Sequence, residues 1–204
     1  MALDSRGSEA SRPWIEAAHP TYPCLIDKEH KVAQLYGMLN VPSAVWIDES
    51  GGIVRPTESA GAIDTSRAID RQTGQVSPEA RAEAQRRRQL YYEALRDWVE
   101  KGEESVYALS GQKVLDRVRG TDERHSLGAA NFRMGVYLYE QGRPSEAKRF
   151  LEEAQKLHPE NWAFRRQSWN LEDTGQPVRR NMAALMDELG IKHFREPIDM
   201  PGMD

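Results

Sequence analysis

Cys24, the five histidines and adjacent acid pairs such as Asp48-Glu49 and Glu152-Glu153 are the side chains in this sequence with the most reactive chemistry to offer. Thiol redox work needs a thiolate held at a helix N-terminus, usually with a resolving thiol beside it. Cys24 has no second cysteine and sits in the short apolar run Cys24-Leu25-Ile26 directly after Pro23. Free cysteine packs as a small hydrophobe, so a buried structural thiol is expected, and no disulfide framework can form. His19, His30, His125, His158 and His193 are scattered with no His-x-x-x-His pair, so no metal site is expected, and His158, beside Pro159, is expected at the surface. The pairs Asp48-Glu49 and Glu152-Glu153 are adjacent in sequence, so their carboxylates diverge. Ser126 and Ser168 lack an identifiable base, and no nucleophile elbow, P-loop or dinucleotide fingerprint is present. No catalytic residue, metal or cofactor is therefore expected.

Composition bounds the remaining classes. At 39% hydrophobic and 29% charged, the chain has the make-up of a soluble globular protein. A net charge of -4 argues against a nucleic-acid partner, which requires a basic surface. The run Arg86-Arg87-Arg88 falls inside an expected helix and reads as a solvated face. No apolar run approaches the roughly 20 residues of a membrane-spanning helix, and the opening MALDSRGSEASR lacks the basic start and apolar core of a secretory signal. The default expectation is a cytoplasmic protein with no membrane partner.

The elements that would position any site follow from periodicity and punctuation. Ala2-Leu3-Asp4 reads as the end of a strand, and Ser8 to Ala18 as a helix capped by Ser8 or Ser11, with Trp14, Ile15 and Ala18 on one face. Pro20 and Pro23 break the chain. From Glu29 to Leu39, Val32, Leu35, Tyr36 and Leu39 mark one stripe of a helix that Gly37 weakens. Ala44 to Ile47 has the length and continuity of a strand buried on both faces. Asp48 to Gly52 is a turn, and Ile53-Val54 begins a return strand that Pro56 should end. Thr57 to Val76 is polar linker with a short helix from Ser66 to Arg71. Ser77-Pro78-Glu79 opens a long helix ending at Gly102, its apolar face formed by Tyr91, Leu95, Trp98 and Val99. Val106 to Val118 and Val178 to Leu189 are expected helices, the latter with Met182, Leu185 and Leu189 on one face, and the tail after Glu196 is expected to be loose.

The ordered series Pro23 to Asp27, Leu35-Tyr36-Gly37, Asn40-Val41-Pro42, Trp46-Ile47-Asp48, Gly51-Gly52 and Ile53-Val54 resembles the second half of a thioredoxin-like domain of the redoxin branch. Ala2 to Ala18 resembles the strand and helix before it, so the likeness spans about residues 1 to 70. The resemblance implies a cis proline at Pro42 facing a substrate site, with the backbone before it pairing to a bound thiol partner. It also implies a Cys-bearing helix and a central strand ahead of Ala2. This chain begins after them, and Cys24 matches neither reactive position. A sheet lacking its middle strand leaves unpaired backbone, which another segment or a second copy of the chain could cover.

From Gly128 onward, Met134-Gly135, Leu138, Ala147, Leu151, Ala154 and Pro159 resemble the tetratricopeptide repeat, with Asn131 in place of the usual large aromatic. Small Gly135 and Ala147 let two helices approach, Leu138 and Leu151 fill the seam, and Gly142-Arg143-Pro144 makes the turn. One repeat cannot bury its own faces, so the helices at Tyr91 to Lys101 and Val106 to Val118 should cap it before, and Trp162 to Leu171 after. In that last helix Trp162, Arg166 and Trp169 share a face, with Arg165 alongside. They could form an aromatic-basic groove for a peptide or acidic ligand, or simply pack the end of the repeat.

The expected architecture is an incomplete α/β thioredoxin-like segment over residues 1–72 joined to an all-α tetratricopeptide-like region over residues 77–195. The expected function is protein or peptide binding, through Val41 and Pro42 or the repeat's concave face, with Trp162, Arg166 and Trp169 as further candidate contacts. The alternatives are a redoxin-type thiol-disulfide oxidoreductase or peroxidase whose catalytic cysteines precede this chain, and a purely structural helical scaffold.

Overall fold

The computed structural model describes residues 1–70, 72–118, 120–171 and 182–203. The chain forms two compact units, Met1–Leu39 with Gly120–Pro177, and Asn40–Arg119 with Val178–Asp204. This grouping cuts the chain differently from the division at residues 72 and 77.

In the first unit, Ala2 and Ile26 form a parallel bridge, and α1 (Ser8–Ala18) follows from Gly7, whose φ of 91° a side chain would disfavour. Gly7, not Ser8 or Ser11, occupies the cap position and provides no side-chain bond. The inward face of α1 is Ser11 with half-buried Ile15, whereas Trp14 and Ala18 are exposed. Helix α2 is confined to Lys31–Leu35, with the Asp27 carboxylate accepting from the backbone N–H of Lys31 at 2.9 Å and Ala33 at 2.8 Å. A charged acceptor there satisfies two of the donors that a helix start leaves unpaired. Ala33 is the buried residue of α2, while the expected stripe at Val32, Leu35 and Tyr36 is exposed. The apolar spacing is helical, but most of that face meets water.

Helices α5 (Glu123–Glu140) and α6 (Pro144–Leu157) form the hairpin whose seam the small residues permit. A Cβ on Gly135 would sit 2.6 Å from Leu151 Cδ2 and 3.3 Å from the Ala147 carbonyl oxygen. Leu138, Ala147, Leu151 and Ala154 are all buried. Helix α7 (Trp162–Leu171) packs next, and Phe164 stacks on Phe132 with centroids 4.2 Å apart. The N-terminal segment is bonded to α7. Gln167 accepts from Ser5 N–H at 3.0 Å and donates to the Leu3 carbonyl at 3.1 Å, and Ala163 N–H donates to the Leu39 carbonyl at 3.0 Å. These bonds are why residues 1–39 group with the hairpin.

In the second unit, β1 (Ser43–Ile47) and β2 (Ile53–Ser59) pair antiparallel as the two-stranded sheet of the described residues. Strand β1 is not buried on both faces: Trp46 is buried and Ile47 exposed. Pro56 does not end β2. Trp46 pairs with Arg55 and Ala44 with Glu58, so the return strand carries an extra residue across Pro56-Thr57, an irregularity that accommodates a residue lacking an N–H. The Asp48 carboxylate fixes the turn by accepting from the N–H of Ser50 and of Gly52.

A 3-10 turn at Ser66–Ala68 replaces the expected helix to Arg71, and Arg71 itself lies outside the described residues. Helix α3 (Pro78–Lys101) starts as its sequence predicts, with the Ser77 hydroxyl accepting from Ala80 N–H at 3.2 Å. Its inward face is Tyr91 and Ala94 with Leu95 and Trp98 beside them, while Val99 is exposed. Arg86 and Arg87 pair with Glu83 on its outer surface. Helix α4 spans only Gly111–Arg117, because Ser110 caps it and Gly102–Glu104 forms a separate 3-10 turn. Helix α8 is Met182–Glu188; its expected start at Val178 and the side chain of Met182 lie outside the described residues.

The tail corrects the expectation most sharply. Ile198, Met200 and Met203 are buried against Trp46, Tyr91 and Ala94, so the segment after Glu196 is core rather than loose end. Trp46 Nε1 donates to the Tyr91 hydroxyl at 2.9 Å inside that cluster, and burial holds the Tyr91 phenol well above its ordinary pKa. Among the described residues no helix is long and apolar enough to cross a membrane.

Candidate binding surface

Among the described residues, one face of α5 stays exposed. Leu127, Met134 and Tyr137, at i, i+7 and i+10, are 52%, 45% and 54% exposed. The helices expected to cap the repeat from before, α3 and α4, belong to the other compact unit. Beside this stripe lies a cleft of about 500 Å³ between α5 and the segment at Lys28 and Glu29. Its floor includes Phe132 and Val136, and Met134 and Tyr137 reach its wall. Lys28 pairs with Glu140 at 2.6 Å and Arg133 with Glu29 at 3.4 Å, so both signs of charge rim an apolar floor. Such a surface suits apolar contact with charged steering at its edge.

The residues singled out by sequence fare unevenly. The Val41–Pro42 peptide is cis, as the resemblance implies, and both residues are exposed. The Val41 backbone is already engaged: its N–H donates to Asn40 Oδ1 at 2.9 Å, and its carbonyl accepts from Arg195 Nη2 at 3.1 Å. The Pro42 carbonyl accepts from Ala60 N–H at 3.3 Å. Trp162 is 2% exposed with the Arg165 guanidinium 5.6 Å from its ring, so this tryptophan is packing rather than groove. Arg166 and Trp169 are half-buried. Cys24 is exposed, contrary to the buried thiol expected; among the described residues its segment is held by the sheet-like bridge at Ile26 alone.

Histidine chemistry that linear spacing hid is brought together by the hairpin. His125 lies in the first turn of α5 and His158 just after α6; antiparallel pairing makes those ends neighbours. Their imidazoles stack at 3.8 Å with planes 10° apart, and Glu160 Oε1 lies 3.3 Å from His125 Nε2 and 3.8 Å from His158 Nε2. His158 is 8% exposed, not at the surface, and its Nε2 has no hydrogen-bond partner. The signal available in sequence was the Gly142-Arg143-Pro144 turn, which brings the start of one helix near the end of the next without setting the register that stacks the rings.

His30 is a second buried imidazole, edge-on to Phe132 at 5.0 Å, with neither ring nitrogen hydrogen-bonded. Burial pushes its pKa down from 6.5 to about 4, against the opposing pull of the Asp27 and Asp4 carboxylates. Below pH 6.5 the unfolded chain takes up a proton that the folded state refuses until about pH 4. Stability contributed by neutral His30 is therefore present above the unfolded pKa and lost as the pH falls through that window, by about 3 kcal/mol. Urea unfolding of the wild type and His30→Leu at pH 7 and pH 4.5 checks this. The variant should lose less stability on acidification, and equal losses would refute the assignment.

No family model matches the chain, and no curated protein or solved structure matches it. The functional reading rests on the chain's own geometry.

Proposed function

We propose that this chain is a protein-interaction module, in which a redox-inactive thioredoxin-like segment accompanies a tetratricopeptide-like helical scaffold, acting in the cytoplasm. The observation that carries the reading is the uncovered α5 stripe of Leu127, Met134 and Tyr137 beside the apolar cleft. Large apolar side chains aligned on one helix face are the surface onto which a further helix packs in a repeat array. The partner this fits is a protein segment that folds as an amphipathic helix, presenting apolar anchors at i, i+3 or i+4, and i+7. The Val41–Pro42 edge is the weaker candidate, since its backbone groups already have internal partners. A catalytic role has less support, because Cys24 is the single cysteine and lacks a resolving thiol.

The test is a photo-crosslinking amino acid placed at Met134 or Tyr137 in the full chain within cells, with exposed Glu152 on α6 as the control position. Adducts to one defined protein at 134 and 137, absent at 152 and abolished by Leu127→Glu, are the expected result. Equal labelling at all three positions would sink the reading. Adducts to a second copy of the chain would instead make this face a self-association surface.

A further inference from the structure

We propose that His125, His158 and Glu160 form a binding site for a single divalent ion of the zinc class, joining the first turn of α5 to the segment following α6. Each offers one nitrogen or oxygen ligand atom, and the three atoms lie within 4.8 Å of one another. Tetrahedral ligands at the usual zinc distances of about 2.0–2.1 Å are separated by about 3.3 Å. Two of the three separations, 3.3 Å and 3.8 Å, stand near that value already. The remaining pair of ligand atoms also lies within 4.8 Å, so closing the set requires the stacked rings to splay until both nitrogens face one point. Two imidazoles and one carboxylate form a ligand set suited to Zn²⁺, with a fourth position left for water.

Two further features point to a ligand rather than to a packing accident. The His158 Nε2 is buried in a nine-tenths-buried side chain and makes no hydrogen bond, a cost that a metal bond would remove. Behind His125, the Asp122 carboxylate lies 3.5 Å from Nδ1 while it caps α5 by accepting from His125 N–H at 2.7 Å. A carboxylate on the side of the far nitrogen stands where the outer partner of a metal-bound histidine usually lies. The same four side chains thus supply three ligands and one orienting group.

The consequence is a brace. An ion bound only by the folded hairpin stabilises it by mass action, and this one would fasten the open end of α5–α6, opposite the Gly142 turn. Calorimetric titration of the chelator-treated full chain with Zn²⁺ should show one ion per chain and a rise in Tm that chelator reverses. Co²⁺ should give the visible absorption of a four-coordinate nitrogen-oxygen site. Glu160→Gln and His125→Asn, both at half-buried positions, should each weaken Zn²⁺ binding by roughly 100-fold while leaving the metal-free circular dichroism unchanged. Asp122→Asn, which preserves the helix cap, should weaken it about 10-fold. Absence of saturable binding would overturn the proposal. So would binding unaltered by Glu160→Gln and His125→Asn, or binding lost only on Cys24→Ser, which would assign the ion to the exposed thiol.

Discussion

Arg55→Ala should destabilise the second unit by about 3–5 kcal/mol, the range for removing one partner of a buried ion pair. Arg55 is 1% exposed on the central part of β2, and its guanidinium meets four groups at once. Nε and Nη2 fork onto the Glu58 carboxylate at 2.9–3.1 Å. Nη1 donates to the Tyr107 carbonyl at 2.9 Å, and Nη2 donates to the Asp199 carbonyl at 2.9 Å. The Trp46 ring lies under the cation, 5.4 Å from centroid to Cζ. One side chain therefore ties the strand, the turn before α4 and the C-terminal tail. Alanine strands the Glu58 carboxylate and two carbonyls, and burial makes each orphan expensive. Lysine should not rescue, because a point charge on a flexible stem cannot reproduce the fork. Denaturant unfolding followed by tryptophan fluorescence reads the result, since Trp46 sits in the affected cluster. A double variant, Arg55→Met with Glu58→Leu, should cost less than the two single changes summed, as the surviving partner is no longer left charged. A loss below about 1 kcal/mol for Arg55→Ala would place the pair among the many surface bridges that contribute little.

The second large effect is expected at Gly135. Valine there should destabilise the first unit by about 3 kcal/mol, at the upper end of overpacking penalties. The first carbon added already meets Leu151 Cδ2 at 2.6 Å, and Leu151 has little room to give, being 1% exposed within the core cluster that includes Ala129, Phe132, Ala154 and Phe164. Backbone at Ala147 blocks the other direction. Gly135→Ala separates the steric and conformational parts. Alanine regains about 1 kcal/mol of helix propensity, so its net cost should be roughly 1 kcal/mol. Thermal melts of the three proteins, ordered glycine, alanine, valine from most to least stable, are the check. A valine variant as stable as the parent would mean that α5 and α6 do not approach as closely as the seam requires.

Local signals were legible where one residue type dictates local geometry. Ser77-Pro78 started α3, Gly142 and Pro144 set the α5–α6 turn, and the span of α1 and the start of α7 followed from their periodicity. The close seam at Gly135 and Ala147 was legible too, because only small residues allow two helices to approach so nearly. Which face of each element is buried was not. Val32, Leu35 and Trp14 read as core by spacing, yet they are exposed, because spacing states that a helix has an apolar face and not what meets it. Arg55 was invisible for the converse reason. A charge in a strand reads as outward-facing until Glu58, Tyr107 and Asp199 are seen to satisfy it, and two of those lie 52 and 144 residues away. The tail's Ile198, Met200 and Met203 carry no periodicity that separates anchored chain from loose end; only their fit around Trp46 does.

The chemistry divides in the same way. The single cysteine sufficed to set aside an internal thiol pair within these residues. The histidines are 33 residues apart in sequence, and their meeting depends on an antiparallel hairpin closing to a register that local spacing does not encode. Chain order specifies elements through short-range sterics and hydrogen bonding. Ligand sites and buried ion pairs depend on long-range packing, and only the folded chain brings Glu160 to two imidazoles or Asp199 to a guanidinium.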